Sequence, residues 1–259
     1  MRRLVCMGLV IVISLIFCAC KRTDRPDPDA PITTVQQLAD ETTTSVPAHS
    51  ELYLPEYTSQ QIFEYFKEVA LVMEYADGTG DISVVQKWKE PILYSVYGDY
   101  TDEDLAILTD LFTRLNKIDG FPGIYAADTE KESGSLCIHF FDQEHFNSFF
   151  SDIINGEDAY GAAHFWYYNE TNEIYTADVG YRTDAEQSIR ESVLLEEIIN
   201  VLGISDTIIR EDSIVYQYSD DNVSLSDVDW VILKLLYNPA IQPGMDAESC
   251  QTVIQELYY

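Results

Sequence analysis

The side chains with the clearest chemical potential lie in one short segment, from Glu196 to Asp206, which also contains Glu197 and Asn200. A helix turns by about 100° per residue, so Glu196, Glu197 and Asn200 cluster on one face, opposite a broad apolar band. Carboxylate and amide oxygens suit a hard cation such as Ca²⁺ or Mn²⁺ better than zinc. The segment therefore predicts either a solvated acidic helix face or, where that face is covered, an oxygen-rich site.

Partial covering of this face is expected, because Ile189 and Val193 fall on the same stripe of the helix. Two adjacent carboxylates that are taken out of water repel each other, which raises a pKa or attracts a cation. An amphipathic helix with a solvated acidic face is the simpler alternative.

The spacing of this segment resembles the zinc motif of the metzincin metallopeptidases, His-Glu-x-x-His-x-x-Gly-x-x-His/Asp. The resemblance gives Glu197 the place of the general base, Gly203 the place of the turn and Asp206 the place of the third ligand. Glu196 and Asn200 stand where the two helical histidines would be. Because zinc favours imidazole and thiolate ligands, the resemblance implies a degenerate site without a firm metal ligand. A zinc cofactor is not expected, and a hard divalent cation is the only metal that these residues suit.

Two later segments extend the resemblance in the order that metzincins use. Ser213-Ile214-Val215-Tyr216 occupies the place of the Met-turn, with Val215 instead of methionine. Leu225 to Tyr237 is similar to the closing helix, in which Leu225, Asp229, Leu236 and Tyr237 match. The resemblance implies structural roles for Gly203, Val215, Asp229 and Tyr237.

The same stretches resemble a family of exported bacterial proteins catalogued as domain of unknown function 2927. That family shows a Glu-Glu-x-x-Gln/Asn-x-Leu-Gly helix and a Pro-Gly-Met tail, which here is Pro243-Gly244-Met245. An upstream Trp88-Lys89-Glu90-Pro91-Ile92 also fits its opening strand. The resemblance covers Trp88 to the C-terminus and implies a fold related to zinc peptidases, but no activity.

The N-terminus has the pattern of a secretory signal. Arg2 and Arg3 precede an apolar run from Leu4 to Phe17, which is short for a membrane span of about 20 residues. The following Phe17-Cys18-Ala19-Cys20 resembles the lipobox of bacterial lipoproteins, which implies cleavage after residue 19 and lipidation of Cys20. An uncleaved N-terminal anchor is the alternative.

Composition divides the rest of the chain into a tether and one domain. Residues 20–57 are rich in proline and threonine and poor in apolar side chains, which predicts a flexible tether between the lipid and a domain at 58–259. Loss of the signal takes the net charge from −30 to −32, so phosphate backbones repel the chain and nucleic acid is excluded as a partner. With 46% hydrophobic residues, the domain can still form a full core.

Apolar periodicity predicts an α+β domain with a mixed sheet, a central motif helix and C-terminal helices. Helices are predicted over Ser59–Tyr75, Asp102–Asn116, Asp184–Leu202, Asp227–Tyr237 and Asp246–Leu257, extended chain over Val84–Tyr100, a strand over Leu136–Phe141, and a hairpin of Ala163–Tyr168 with Glu173–Tyr181.

Three further features admit more than one interpretation. The run His164-Phe165-Trp166-Tyr167-Tyr168 is typical of hairpin packing, although a zincin-like strand near here would border the substrate cleft and bind peptide or glycan. Cys137-x-His139 is interpreted as core packing on a strand. Cys137 and Cys250 could pair in an oxidising compartment, but their separation does not predict it.

These observations predict an exported, lipid-anchored protein with a non-catalytic binding or structural role and a degenerate peptidase-like fold. Its expected partners are the membrane, through the lipid, and an extracellular peptide, protein or glycan. The alternative is a metal-dependent hydrolase in which Glu197 is the general base and the metal ligands are unusual.

Overall fold

A computed structural model describes residues 50–71, 84–128, 134–154, 159–219 and 221–258. The predicted signal, Cys20 and most of the tether lie outside these ranges. Six helices and six strands occur within them, which confirms a mixed α/β domain. In chain order they are α1 (Ser59–Leu71), β1 (Lys87–Trp88), β2 (Ile92–Gly98), α2 (Asp102–Leu115), β3 (Ile124–Ala126), β4 (Leu136–Phe141), α3 (Gln143–Phe149), β5 (Gly161–Tyr167), β6 (Glu173–Arg182), α4 (Gln187–Val201), α5 (Asp227–Tyr237) and α6 (Ala247–Leu257). Across the described ranges, no helix combines the length and apolar character that a membrane crossing requires.

The strands form one sheet in the order β3-β2-β4-β6-β5, and the short β1 pairs with the first residues of β6. Every pairing is parallel except that of β5 with β6, which form the predicted hairpin. Among the described residues β5 pairs with β6 alone, so it is an antiparallel edge strand of a mostly parallel sheet.

The two faces of the sheet differ, as the alternation along β4 shows. Leu136, Ile138 and Phe140 are buried in the main core together with side chains of α1, α2, α4 and α5. Cys137 and His139 point to the opposite face and are only partly buried. A smaller apolar cluster that includes Phe146 of α3 covers part of this second face. Because side chains alternate along a strand, the two sets belong to different layers.

The motif helix α4 packs against β5, β6 and α2 on the core side of the sheet. A buried ion pair joins Arg190 of α4 to Asp104 of α2. Asp104 also completes the capping box of α2, since its carboxylate accepts a hydrogen bond from the Thr101 backbone N–H at 2.8 Å. The buried Asp104 carboxylate thus caps the N-terminus of α2 and joins α4 to it through Arg190.

Some boundaries differ from the predictions. α4 begins at Gln187 rather than near residue 184, because β6 continues to Arg182 and the intervening residues form a turn. The N-cap of α4 is Glu186, which makes no side-chain capping bond. α3 was not predicted, since seven residues carry little periodic signal. Residues 50–57 of the predicted tether are described as well, and there the Tyr258 hydroxyl donates to the Leu54 carbonyl at 3.0 Å.

Candidate functional site

The motif positions gather at the C-terminal end of α4. Glu196, Glu197 and Asn200 are partly buried on the last two turns, and Asp206 is exposed in the loop that follows. The Asn200 Nδ2 donates a hydrogen bond to Asp206 Oδ1 at 3.1 Å. The structure therefore brings the second and third ligand positions of the motif into direct contact.

Glu197 lies against the edge strand. A Cβ atom added at Gly161 of β5 would stand 2.7 Å from Glu197 Oε1, so the missing side chain of this glycine leaves room for the carboxylate. The carboxylates of Glu197 and Glu196 also interact electrostatically with the fully buried Tyr181 of β6. Burial, and then these two carboxylates, hold the pKa of Tyr181 well above its usual range, and its hydroxyl donates to the Leu194 carbonyl at 2.9 Å. The acidic face is thus partly covered by the sheet.

The turn after α4 requires a glycine. Gly203 has φ of +98°, a region that favours glycine, and a Cβ there would stand 2.1 Å from the Gln86 carbonyl oxygen. The close approach of these two backbones redirects the chain toward Asp206. The structure supports the turn that the motif assigns to Gly203.

Two buried donors complete the end of the motif helix. The Trp88 indole Nε1 donates to the Val201 carbonyl at 2.8 Å, and the Tyr237 hydroxyl donates to the Leu202 carbonyl at 2.9 Å. The last carbonyls of a helix have no partner within the helix, so these bonds satisfy groups that would otherwise be buried unpaired. Tyr237 therefore has a structural role that links α5 to α4.

Asp229 organises the segment from Ser213 to Tyr216. The residue is 5% exposed. It accepts hydrogen bonds from the Ser213 hydroxyl at 2.7 Å, the Ile214 N–H at 3.0 Å and the Ser226 N–H at 2.9 Å. The Tyr65 hydroxyl of α1 lies 3.3 Å away. One carboxylate therefore ties the turn to the start of α5.

Val215 lies on the same segment and is buried. It lines a small cavity together with Ile199 and Ile204, which flank the end of the motif helix. Its carbonyl accepts a hydrogen bond from the Thr207 N–H at 2.8 Å. Val215 thus supports the motif helix by apolar packing.

The side chains at the motif positions do not suit zinc as ligands. The two helical positions offer a carboxylate and an amide, and the amide nitrogen of Asn200 is already bonded to the carboxylate in the third position. Zinc sites in proteins depend on imidazole and thiolate groups, which this set lacks. No reaction step is therefore assigned to zinc at this end of α4.

A second group of polar side chains lies on the opposite face of the sheet. Cys137 and Asp178 face each other across β4 and β6, and His139 follows two residues later. The His139 Nε2 stands 3.2 Å from Asp178 Oδ1. Burial, and then the Asp178 carboxylate, raise the pKa of the Cys137 thiol. The interpretation of Cys137 and His139 as core residues is wrong, because their face of the sheet is only partly covered.

No local sequence signal indicates Asp178 as a member of this group, since it joins the two residues only through strand pairing. The other free cysteine, Cys250, is buried in α6. No disulfide joins Cys137 to Cys250, since both are free thiols.

The aromatic run on β5 is divided between the two faces. Phe165 and Tyr167 pack against the main core, as hairpin packing requires. Trp166 and Tyr168 are 40% and 51% exposed. The His164 and Trp166 rings meet edge to face, with centroids 4.4 Å apart. The edge strand therefore presents the aromatic side chain of Trp166 to solvent.

Fold and site together define a mixed α/β domain with a helix-and-turn motif. The family described as "Protein of unknown function (DUF2927)" matches residues 59–256, and the chain belongs to this family. No curated protein matches the chain.

Proposed function

We propose that this protein is an exported, lipid-anchored domain that binds an extended peptide along the edge strand β5 without cleaving it. Its fold is proposed to be a degenerate relative of the metzincins. The motif helix beside an antiparallel edge strand, the glycine turn and the Asp229 segment all support that relationship.

The observation that carries the binding proposal is the outer edge of β5, with which no other strand of the described residues pairs. The Arg182 N–H donates to the Tyr160 carbonyl at 2.9 Å, which makes these residues a hydrogen-bonded pair of the β5–β6 ladder. Such pairs alternate in an antiparallel ladder, so the N–H groups of Ala163 and Phe165 point away from β6. Outward N–H and C=O groups on an edge strand are the groups that an added peptide strand uses.

The non-catalytic part of the proposal rests on the motif itself. Asn200 and Asp206 bond to each other, and Glu196 offers a carboxylate where a zinc site would need an imidazole. Glu197 fills the space beside Gly161 rather than standing clear of the sheet. These contacts support a site that retains the shape of a peptidase motif and has lost its metal chemistry.

Ala163→Pro is expected to weaken peptide binding about tenfold, because it removes one outward N–H and distorts the added strand. The measurement is fluorescence polarisation of a peptide selected on an array of random peptides with the purified full chain. Pro is tolerated on edge strands where the N–H faces solvent, so the β5–β6 hairpin should persist.

Ala163→Val is the matched control, since it keeps the N–H, and its affinity should stay close to that of the parent. Equal affinity of the proline and valine variants would contradict binding by strand addition. A glycan ligand would instead depend on Trp166 and tolerate Ala163→Pro. Peptide cleavage that disappears in Glu197→Gln would favour the hydrolase alternative and contradict the non-catalytic proposal.

Cys20→Ser is expected to leave the precursor unprocessed, because serine has no thiol to accept the lipid. Mass spectrometry of the membrane fraction should find a lipid-modified N-terminus at Cys20 in the parent and the intact signal in the variant. Cys18→Ser is the control and should be processed normally. Membrane retention of both variants with an intact N-terminus in the parent would indicate an uncleaved anchor.

A further inference from the structure

We propose that Cys137, His139 and Asp178 form a binding site for a divalent transition-metal ion, for which Zn²⁺ is the best match. The site lies on the face of the sheet opposite the motif helix. It is independent of peptide binding at β5 and of the motif positions on α4.

The ligand atoms converge because of strand register. Cys137 pairs directly with Asp178 across the parallel strands β4 and β6, and His139 lies on the same face two residues further along. The Cys137 Sγ, a His139 ring nitrogen and an Asp178 carboxylate oxygen all lie within 4.8 Å of one another. Zinc bonds of about 2.0–2.3 Å in a tetrahedron separate neighbouring ligand atoms by roughly 3.3–3.8 Å, so small side-chain rotations suffice to enclose the ion.

His139 is already held in place for this role. Its ring stacks with that of Tyr97, at 5.3 Å and 19°, and with that of Phe141, at 5.2 Å and 8°. Phe149 of α3 approaches the same ring at 4.9 Å. A ligand that neighbouring rings orient in advance loses little conformational freedom on binding, which favours metal affinity.

The ligand types also favour a borderline-soft ion. Thiolate, imidazole and carboxylate are the three side-chain ligands that zinc uses, and the charges of the thiolate and carboxylate balance a divalent cation. The side chains of His139 and Asp178 are 15% and 25% exposed, so an ion can reach them from solvent.

A further histidine lies on the same face of the sheet. His164 of β5 faces Asp178 across the antiparallel ladder, and residues that face each other in a ladder share one face of the sheet. His164 is exposed and lies outside the group of three convergent ligands, so the fourth position of the ion is left to water. Three protein ligands and an open position are compatible with zinc coordination.

Stoichiometric binding should be measured on the purified, reduced and metal-stripped full chain by competition between the protein and a chromophoric chelator for Zn²⁺. One high-affinity ion per chain is expected. Cys137→Ser and Asp178→Asn, which are nearly isosteric, should each weaken binding by more than the roughly 10–100-fold that loss of an outer partner costs. Co²⁺ should give a thiolate charge-transfer band in the parent that Cys137→Ser abolishes.

His145→Gln is the matched control, because His145 Nδ1 lies 2.8 Å from Asp142 in a histidine–aspartate pair without a thiol. Its zinc affinity, and that of Asp206→Ala at the motif, should equal that of the parent. Zn²⁺ should raise the melting temperature of the parent and not of Cys137→Ser, since only a site in the native state adds stability. Absence of a stoichiometric ion in the parent, or undiminished binding in a folded Cys137→Ser protein, would overturn the proposal.

Discussion

Asp229→Ala is expected to destabilise the domain by about 3–4 kcal/mol. The carboxylate is buried and accepts three hydrogen bonds of 2.7–3.0 Å, from the Ser213 hydroxyl and from the N–H groups of Ile214 and Ser226. Alanine would leave these donors buried without acceptors, and each unsatisfied donor costs free energy. The measurement is the free energy of unfolding of the purified protein in urea, followed by circular dichroism.

Asp227→Ala is the control, because Asp227 stands in the same first turn of α5 but is exposed. Its substitution removes a favourable interaction with the helix dipole, which is worth about 0.5 kcal/mol. Asp229→Asn should fall between the two, since its amide can still accept at one atom but turns an N–H toward another donor. Equal unfolding free energies for Asp227→Ala and Asp229→Ala would contradict the role given to Asp229.

The second large effect is expected from the double variant Glu196→His, Asn200→His. Histidines four residues apart on a helix share one face, and the side chain at position 200 already contacts Asp206 Oδ1 at 3.1 Å. If α4 and its turn keep metzincin geometry, two imidazoles and Asp206 complete a zinc site. Zinc affinity at this position should then rise by about 100-fold or more over the parent, which corresponds to about 2.7 kcal/mol.

This variant is best made in the Cys137→Ser background, so that metal bound on the other face of the sheet does not contribute. Adding Asp206→Ala should remove most of the gain, and Asn200→His alone should give only a small part of it. The measurement is zinc content after dialysis, together with chelator competition. A folded double variant without any gain in zinc affinity would show that the motif spacing does not reflect metzincin geometry.

The two faces of the sheet carry different groups of polar side chains. On the core side, the motif helix is fixed by Trp88, Tyr237 and the Gly203 turn, and its polar groups bond to one another. On the other side, Cys137, His139 and Asp178 bring a thiol, an imidazole and a carboxylate close together. The side chains that suit a transition-metal ion therefore lie on the face of the sheet opposite the motif helix.

Local sequence signals predicted several elements well. The helix over Asp227–Tyr237 and the strand over Leu136–Phe141 match the structure at both ends. A capping box at Ser226 and Asp229 and a dense apolar pattern mark α5, and such signals depend on residues a few positions apart. The seven residues of α3 lacked such a pattern, and so this helix was missed.

By itself, the sequence determined the glycine turn at residue 203 and the absence of histidine from positions 196 and 200, because these depend on residue type and spacing within eleven positions. Only the tertiary structure decided that Asn200 bonds to Asp206, that β5 is the edge strand of the described sheet, and that Asp178 joins Cys137 and His139. Strand order and register place residues about 40 positions apart side by side, and they result from packing the whole sheet at once. Local periodicity in the sequence does not predict that pairing.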